Sequence, residues 1–431
     1  MKIIKIQIGK VKIPLKKPFI TALRRVDFAE DIIIKIITDT GNIGFGNAPP
    51  TAVITGDSQA SVVSAIHDII APKLIGLDIC ELETICNQID KAMLHNSSAK
   101  AAIDIAIYDL FAQMCNLPLY KLLGGYRTDI KSDLTISLRE PEIMAQDAFE
   151  AVNNSYTDLK IKVGNDSALD FKRIIAIRNA VGNEINIRLD ANQGWKPKEA
   201  VRLIRQFEDK NLNIELIEQP VIAHDTVGLK FVTDNVDTPI MADESAFGTY
   251  EVFELLAKRA CDLINIKLMK AGGIHNALKI ADMAKICGVE CMMGCMLESK
   301  VGITASASLA GGKSIITKAD LDAADLLATD PIVGGISYKQ NHIILNENGR
   351  IFQTYAKQIL ADYDGARAAL ASNNQIDDKH ISFGVSVCSQ LLSDILGGFY
   401  EKRPDANITV HTGYPLDCMQ DHLDLVLDAY P

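Results

Sequence analysis

The sequence predicts an α+β domain, then an α/β barrel of the (β/α)8 type, then an additional C-terminal segment. Three observations carry this. The first stretch alternates apolar and polar residues between turn signals; from position 128 short apolar strands alternate with amphipathic helices; and ionisable residues recur at the C-terminal ends of those strands. At 431 residues the chain exceeds what one compact core sustains, roughly 250 to 300 residues. The pattern divides it into 1–127, 128–345 and 346–431.

The first division opens as a strand meander. Alternating runs cover Ile3 to Ile13 and Ile32 to Ile37, with a turn at Thr38, Asp39, Thr40 and Gly41. Helices follow. The clearest takes Ser97 or Ser98 as N-cap, carries Ile103, Ile107, Leu110 and Met114 as an apolar stripe, and stops before Leu117 and Pro118. The second division reads as eight strands: one near Asp133 to Ser137, then Leu159 to Val163, Ile185 to Leu189, Ile214 to Ile217, Pro239 to Ala242, Leu263 to Leu268, Glu290 to Met296 and Ile315 to Leu321. Pro197 marks a helix start, and Gly182 and Gly288 mark helix ends.

Composition narrows the function. Lys and Arg number 44 against 55 Asp and Glu, a net charge of −11, and 48% of residues are hydrophobic. That disfavours general disorder and a surface built for nucleic acid or anionic lipid. No apolar run approaches membrane-spanning length. The nine cysteines include no Cys-x-x-Cys pair, which argues against a disulfide framework or zinc site and for reduced thiols in the cytoplasm. Cys291 and Cys295 lie among methionines and read as buried packing. Ile4, Ile6 and Ile8 alternate with Lys5 and Gln7, a strand pattern rather than a signal peptide.

The chemistry sits at the strand ends. Lys162, Asp190, Glu218, Asp243, Lys267, Met296 and Asp322 follow one another in steps of 24 to 29 residues, about one βα unit each. Three carboxylates in one cavity, Asp190, Glu218 and Asp243, repel unless a cation neutralises them, and an all-oxygen set favours Mg2+. For any single one a structural ion pair explains it equally well; three in succession favour the metal. Lys160 and Lys162 point the same way from one strand, so their repulsion should lower at least one ammonium pKa and supply a neutral amine. Lys267 lies across the barrel, placing two lysines to remove a proton from one face of a carbon and return it to the other. Asp320 and Asp322 share a face and could clamp a substrate ammonium; Asp322 could instead cap a helix beginning near Ala323. No histidine falls at a strand end, which leaves a Ser-His-Asp relay without a home.

These residues resemble the enolase superfamily, in its muconate-lactonising-like group. The strings that carry the likeness are Asp158-Leu159-Lys160-Ile161-Lys162-Val163-Gly164, Arg188-Leu189-Asp190-Ala191-Asn192-Gln193-Gly194-Trp195, Ile217-Glu218-Gln219-Pro220, Met241-Ala242-Asp243-Glu244-Ser245 and Ile264-Asn265-Ile266-Lys267. The resemblance implies an N-terminal capping domain over a catalytic barrel. It implies one Mg2+ per subunit on Asp190, Glu218 and Asp243, Lys162 and Lys267 as the proton-transferring pair, and an enolate as shared intermediate. Within the group the chain is similar to dipeptide epimerases of the L-Ala-D/L-Glu type. That likeness assigns Asp320 and Asp322 to the dipeptide's ammonium and Arg24 to its glutamate side chain, although Arg25 is adjacent. It adds Thr135, Lys160 and Met296 to the substrate site, and the capping loop Ile54-Thr55-Gly56-Asp57-Ser58 matches as well. A homo-oligomer acting in peptidoglycan recycling, without nucleic-acid or membrane partners, is the matching expectation.

Two alternatives stay open beside it. A cycloisomerase or o-succinylbenzoate synthase shares the lysines and the metal, but its substrates have no ammonium for Asp320 and Asp322. A catalytically silent fusion regulator is the other. Two departures also stand out. Asn47, in Gly44-Phe45-Gly46-Asn47-Ala48-Pro49, replaces a glutamate the family usually has. From Asn346 the sequence leaves the family pattern and weakly resembles a fragment of a LysR-type regulator, with Gly349 to Leu370 as linker helix and Ile381 to Gly384 opening a βα unit. Residues 352–431 hold five basic and eleven acidic residues, so over half of the net charge lies outside the enzyme-like body.

Overall fold

Alternation along the first 48 residues folds the chain back on itself twice. In this computed structural model, which describes residues 1–345 in full and beyond them the backbone of residues 380–385, 407–412 and 425–427, strand β1 (Ile3–Ile20) pairs antiparallel with β2 (Arg25–Thr38). β2 in turn pairs antiparallel with β3 (Ile43–Ala48). The period of two turns Ile32, Ile34 and Ile36 to one face, where they are fully buried against Ile103, Ala106, Ile107 and Leu110 of the helix Ser97–Met114. The sheet and helix approach closely enough that a Cβ at Gly44 or Gly46 would overlap the carbonyls of Ala106 or Ala102. The N-cap position falls one residue earlier than the serines suggest, at Asn96, which lies in the left-handed region at φ 52°, a conformation asparagine tolerates, and gives the helix no side-chain hydrogen bond.

After β4 (Asp129–Lys131) come eight parallel strands: β5 (Leu134–Ile136), β6 (Asp158–Lys162), β7 (Asn186–Asp190), β8 (Ile214–Glu218), β9 (Ile240–Ala242), β10 (Leu263–Ile266), β11 (Glu290–Gly294) and β12 (Ile316–Asp320). They run in sequence order around the sheet, and Asp133 N donates to Ala319 O at 3.2 Å where the first strand meets the last. Helices follow the first seven strands and cover the outward side chains, such as Leu159, Ile161, Ile187 and Leu189. After β12 the chain turns instead of starting the helix expected at Ala323. It then forms the hairpin β13 (Ser337–Lys339) and β14 (His342–Ile344), and β14 pairs antiparallel with β4.

Two buried polar contacts hold this frame. Asp104, on the helix Ser97–Met114, accepts from Ile274 N at 2.5 Å and His275 N at 3.4 Å, and so caps the barrel helix Ile274–Cys287 from outside the barrel. Inside the barrel Arg188 ties three strand segments, donating to Asp133 at 2.8 Å, Asp158 at 3.4 Å and Glu215 at 2.6 Å. Arg188→Met should leave Asp133 buried without its cation and cost roughly 3–5 kcal/mol. A urea midpoint within error of the parent would show that the cluster holds nothing together.

Met1–Gly349 forms one compact unit and Arg350–Pro431 a second. In the second, β15 (His380–Val385) lies between β16 (Asn407–Thr412) and β17 (Leu425–Leu427), all parallel. The strand expected at Ile381 to Gly384 is β15, while the linker helix expected from Gly349 to Leu370 lies outside the described residues. Among the described residues no helix is long and apolar enough to cross a membrane.

Candidate active site at the barrel mouth

The inward side chains at the C-terminal strand ends surround one cavity. Lys160 and Lys162 from β6, Asp243 after β9, Lys267 after β10, Met296 after β11, and Asp320 and Asp322 at the end of β12 all line it, with Thr135 from β5 and Arg24 between β1 and β2. Asp190 and Glu218 sit directly behind, almost wholly buried. Lys160 Nζ reaches Asp320 at 2.6 Å, Glu218 at 2.7 Å and Asp190 at 3.2 Å; Lys162 Nζ reaches Asp190 at 2.6 Å. Lys267 Nζ reaches the Oδ2 of Asp243 at 2.7 Å.

Charge and burial compete at Lys160, Lys267, Asp190, Asp243, Glu218 and Glu244. Burial alone would lower the Lys160 ammonium, yet Asp320, Glu218 and Asp190 hold it well above its usual value. The lowering expected from its neighbour Lys162 therefore does not occur at Lys160. Lys267 is likewise raised, against its burial, by Asp243. Burial would raise Asp190, but Lys162 and Lys160 bring it down to about 2, and Lys267 and Lys270 depress Asp243 in the same way. Burial and the Asp190 charge push Glu218 up to about 7; burial and Asp243 push Glu244 up to about 8.

On the β12 side Asp320 is held below the usual carboxylate range, its burial overcome by Lys160. Asp322 accepts from the backbone N of Thr135 at 2.7 Å and is raised to about 6 by burial and by Asp320. Its oxygen thus serves the barrel mouth, and the helix it might have capped is absent from the described residues. The two adjacent arginines are separated clearly. Arg24 lines the cavity and has its pKa lowered by burial, whereas Arg25 is exposed and pairs with Asp27 at 3.2 Å. Cys291 is buried as expected, but Cys295 lines the cavity.

Comparison with known proteins matches residues 3–124 to the family described as mandelate racemase / muconate lactonizing enzyme, N-terminal domain, and residues 143–348 to the enolase C-terminal domain-like family. The L-Ala-D/L-Glu epimerase of Clostridium acetobutylicum is 53% identical over 340 residues, 79% of this chain and 95% of that one. The chain belongs to the mandelate racemase / muconate lactonizing enzyme family of the enolase superfamily. A substrate-liganded L-Ala-D/L-Glu epimerase from Bacillus subtilis superposes with TM-score 0.80 at 53% identity, over 80% of this chain and 97% of that one. The dipeptide epimerase of Enterococcus faecalis in complex with Mg and L-Leu-L-Tyr gives 0.78 at 46%, over 80% and 98%. The family match ends at residue 348, so it lends the LysR-like reading of the tail no support.

Several polar residues at this site were given no role in the sequence. Asn192 and Glu244 line the cavity, Asn265 donates to Glu218 at 2.8 Å, and the buried Lys270 reaches Asp243 Oδ1 at 2.5 Å and the Asn265 carbonyl at 3.0 Å. Period-two spacing from Asp190 flags Asn192, and a one-turn helical offset from Lys267 flags Lys270. Among the described residues no three His, Cys, Asp or Glu side chains gather around one point, because lysine ammoniums take the inner oxygens of Asp190, Glu218 and Asp243. The donor chemistry nonetheless fits a hard divalent cation. Six buried carboxyl groups (Asp190, Glu218, Asp243, Glu244, Asp320, Asp322) face four lysines (Lys160, Lys162, Lys267, Lys270), so acidic groups outnumber basic ones there. Glu244 Oε2 and Asn192 Oδ1 are buried there without a hydrogen-bond partner.

Proposed function

We propose that this chain is a Mg2+-dependent dipeptide epimerase interconverting L-Ala-L-Glu and L-Ala-D-Glu by proton transfer between Lys162 and Lys267. One observation carries the reading. β6 and β10 lie four places apart in an eight-stranded order, so Lys162 and Lys267 enter one cavity from opposite sides. Asp190, Glu218 and Asp243 would hold the Mg2+. Bound there, it supplies positive charge to the substrate's terminal carboxylate and so acidifies the adjacent Cα–H.

The remaining work falls to the chain's own side chains. One lysine must arrive neutral to accept the Cα proton while the other donates from its ammonium form; the roles exchange for the opposite epimer. Lys267, held protonated beside Asp243, starts as the donor. Asp320 and Asp322 face the substrate ammonium; Lys160 holds one oxygen of Asp320 and the Thr135 N–H one oxygen of Asp322. Met296 shapes the wall. The same reading places the enzyme in cytoplasmic peptidoglycan recycling as a homo-oligomer, with 1–127 capping a catalytic barrel at 128–345 and 346–431 as an extension. A cycloisomerase or o-succinylbenzoate synthase would leave Asp320, Asp322 and Arg24 without a partner.

Incubation of a dipeptide panel in D2O tests the reading: deuterium should enter Cα only with Mg2+ present. Absence of exchange with every dipeptide would sink it. Arg24 is the half-buried cation aimed at an acidic side chain, so Arg24→Ala should lower kcat/KM for glutamate-containing dipeptides by about 10- to 100-fold, the loss of a charged hydrogen bond. Arg25→Ala should leave it within a factor of two, as for an exposed pair of small energy.

A further inference from the structure

Asn47 departs from the family's glutamate, and its surroundings give the amide a task. It is fully buried on β3. Its Nδ2 donates to Asp31 Oδ2 on β2 at 2.9 Å and to Glu298 Oε2, beyond β11, at 3.0 Å. The same two carboxylates grip the backbone of the β11 loop: Ser299 N donates to Asp31 Oδ2 at 2.9 Å and Met296 N to Glu298 Oε1 at 3.0 Å. The loop residues Cys295, Met296 and Leu297 line the cavity. Gly302 packs directly against this clamp: a Cβ there would overlap the Glu298 carboxylate and the Asn47 amide.

Two carboxylates this close inside a protein repel, and an amide NH2 is the neutral group that offers one N–H to each. Burial raises both, Asp31 to about 6 and Glu298 to about 8, with the Asn47 hydrogen bond opposing the rise in each case. Asn47 Oδ1 has no partner, so the residue is engaged through its donors. We infer that Asn47 is a positioning residue: its amide, clamped between Asp31 and Glu298, fixes the 295–299 segment and lets the capping meander set the cavity wall at Met296 and Leu297.

The inference leans on the proposed activity only for its kinetic arm. Asn47→Asp keeps the shape of the side chain, removes both donors and adds a third carboxylate; Asn47→Ala removes the donors and the bulk. Donation therefore predicts that the aspartate is at least as harmful as the alanine, whereas mere space-filling predicts that it is spared. Hydrogen–deuterium exchange by mass spectrometry should show the peptide spanning Met296 to Ser299 exchanging at least about tenfold faster in both variants, with the distant helix Ser167–Val181 unchanged. KM for the dipeptide should rise about tenfold, with kcat within threefold. Should either variant fail to fold, Glu298→Ala severs the clamp from the barrel side and must give the same local loosening. Unchanged exchange, a spared Asn47→Asp, or a loosened segment with KM unmoved would each overturn the inference. A parent protein inert toward every dipeptide would overturn the proposed function instead, leaving amide exchange to decide this one.

Discussion

Lys162→Ala and Lys267→Ala should each cut epimerisation by roughly 10³-fold or more, the weight of a positioned proton donor or acceptor. Neither change should unfold the protein. Asp190 keeps Lys160 when Lys162 is lost, and Asp243 keeps Lys270 when Lys267 is lost, so neither carboxylate is left buried and unpaired. The two variants differ in what survives. With one lysine gone, the other can still remove a Cα proton and return solvent deuterium to the same face. Each variant should therefore exchange one epimer without inverting it, and the two should retain opposite epimers. Proton NMR in D2O reads both quantities in one experiment. A variant that still inverts at the parent rate, or two variants that retain the same epimer, would contradict opposed lysines.

Side-chain register made much of this site readable. A strand's period of two fixes which residues face inward, and the βα repeat brings Lys162, Asp190, Glu218, Asp243 and Lys267 to successive strand ends, so spacing alone grouped them. Electrostatics was less readable. The repulsion between Lys160 and Lys162 is visible in three residues of sequence, but the carboxylates that outweigh it arrive from β7, β8 and β12. Asp322 could be either an ammonium clamp or a helix cap by local pattern; a tertiary contact, the Thr135 N–H, holds the side chain and the cap reading falls away. Asn47 showed only as a missing charge. Its partners Asp31 and Glu298 meet it through the packing of β2 and β3 on the β11 loop, which no local pattern encodes.

The metal separates two readings of the same carboxylates. As it stands, Glu218 is both ion-paired to Lys160 and pushed up to about 7 by burial and by Asp190, so its charge is tolerated rather than welcome. If Glu218 is a ligand, Glu218→Gln removes one of the three carboxylates that would hold the cation. Mg2+ affinity should then fall by roughly 100-fold or more, exceeding what loss of an outer-shell partner costs. If Glu218 is instead a structural partner of Lys160, the same change breaks a buried pair and should cost roughly 3 kcal/mol in thermal or urea unfolding, with little effect on metal. Lys160 would still hold Asp190 and Asp320 in either case, so folding itself should survive. Calorimetric titration with MgCl2 and unfolding in EDTA measure the two quantities independently. Ligation predicts that EDTA abolishes Cα exchange in the parent, that Mg2+ restores it, and that the Gln variant needs far more Mg2+ to do so. Activity that persists in EDTA would remove the cation from the reaction.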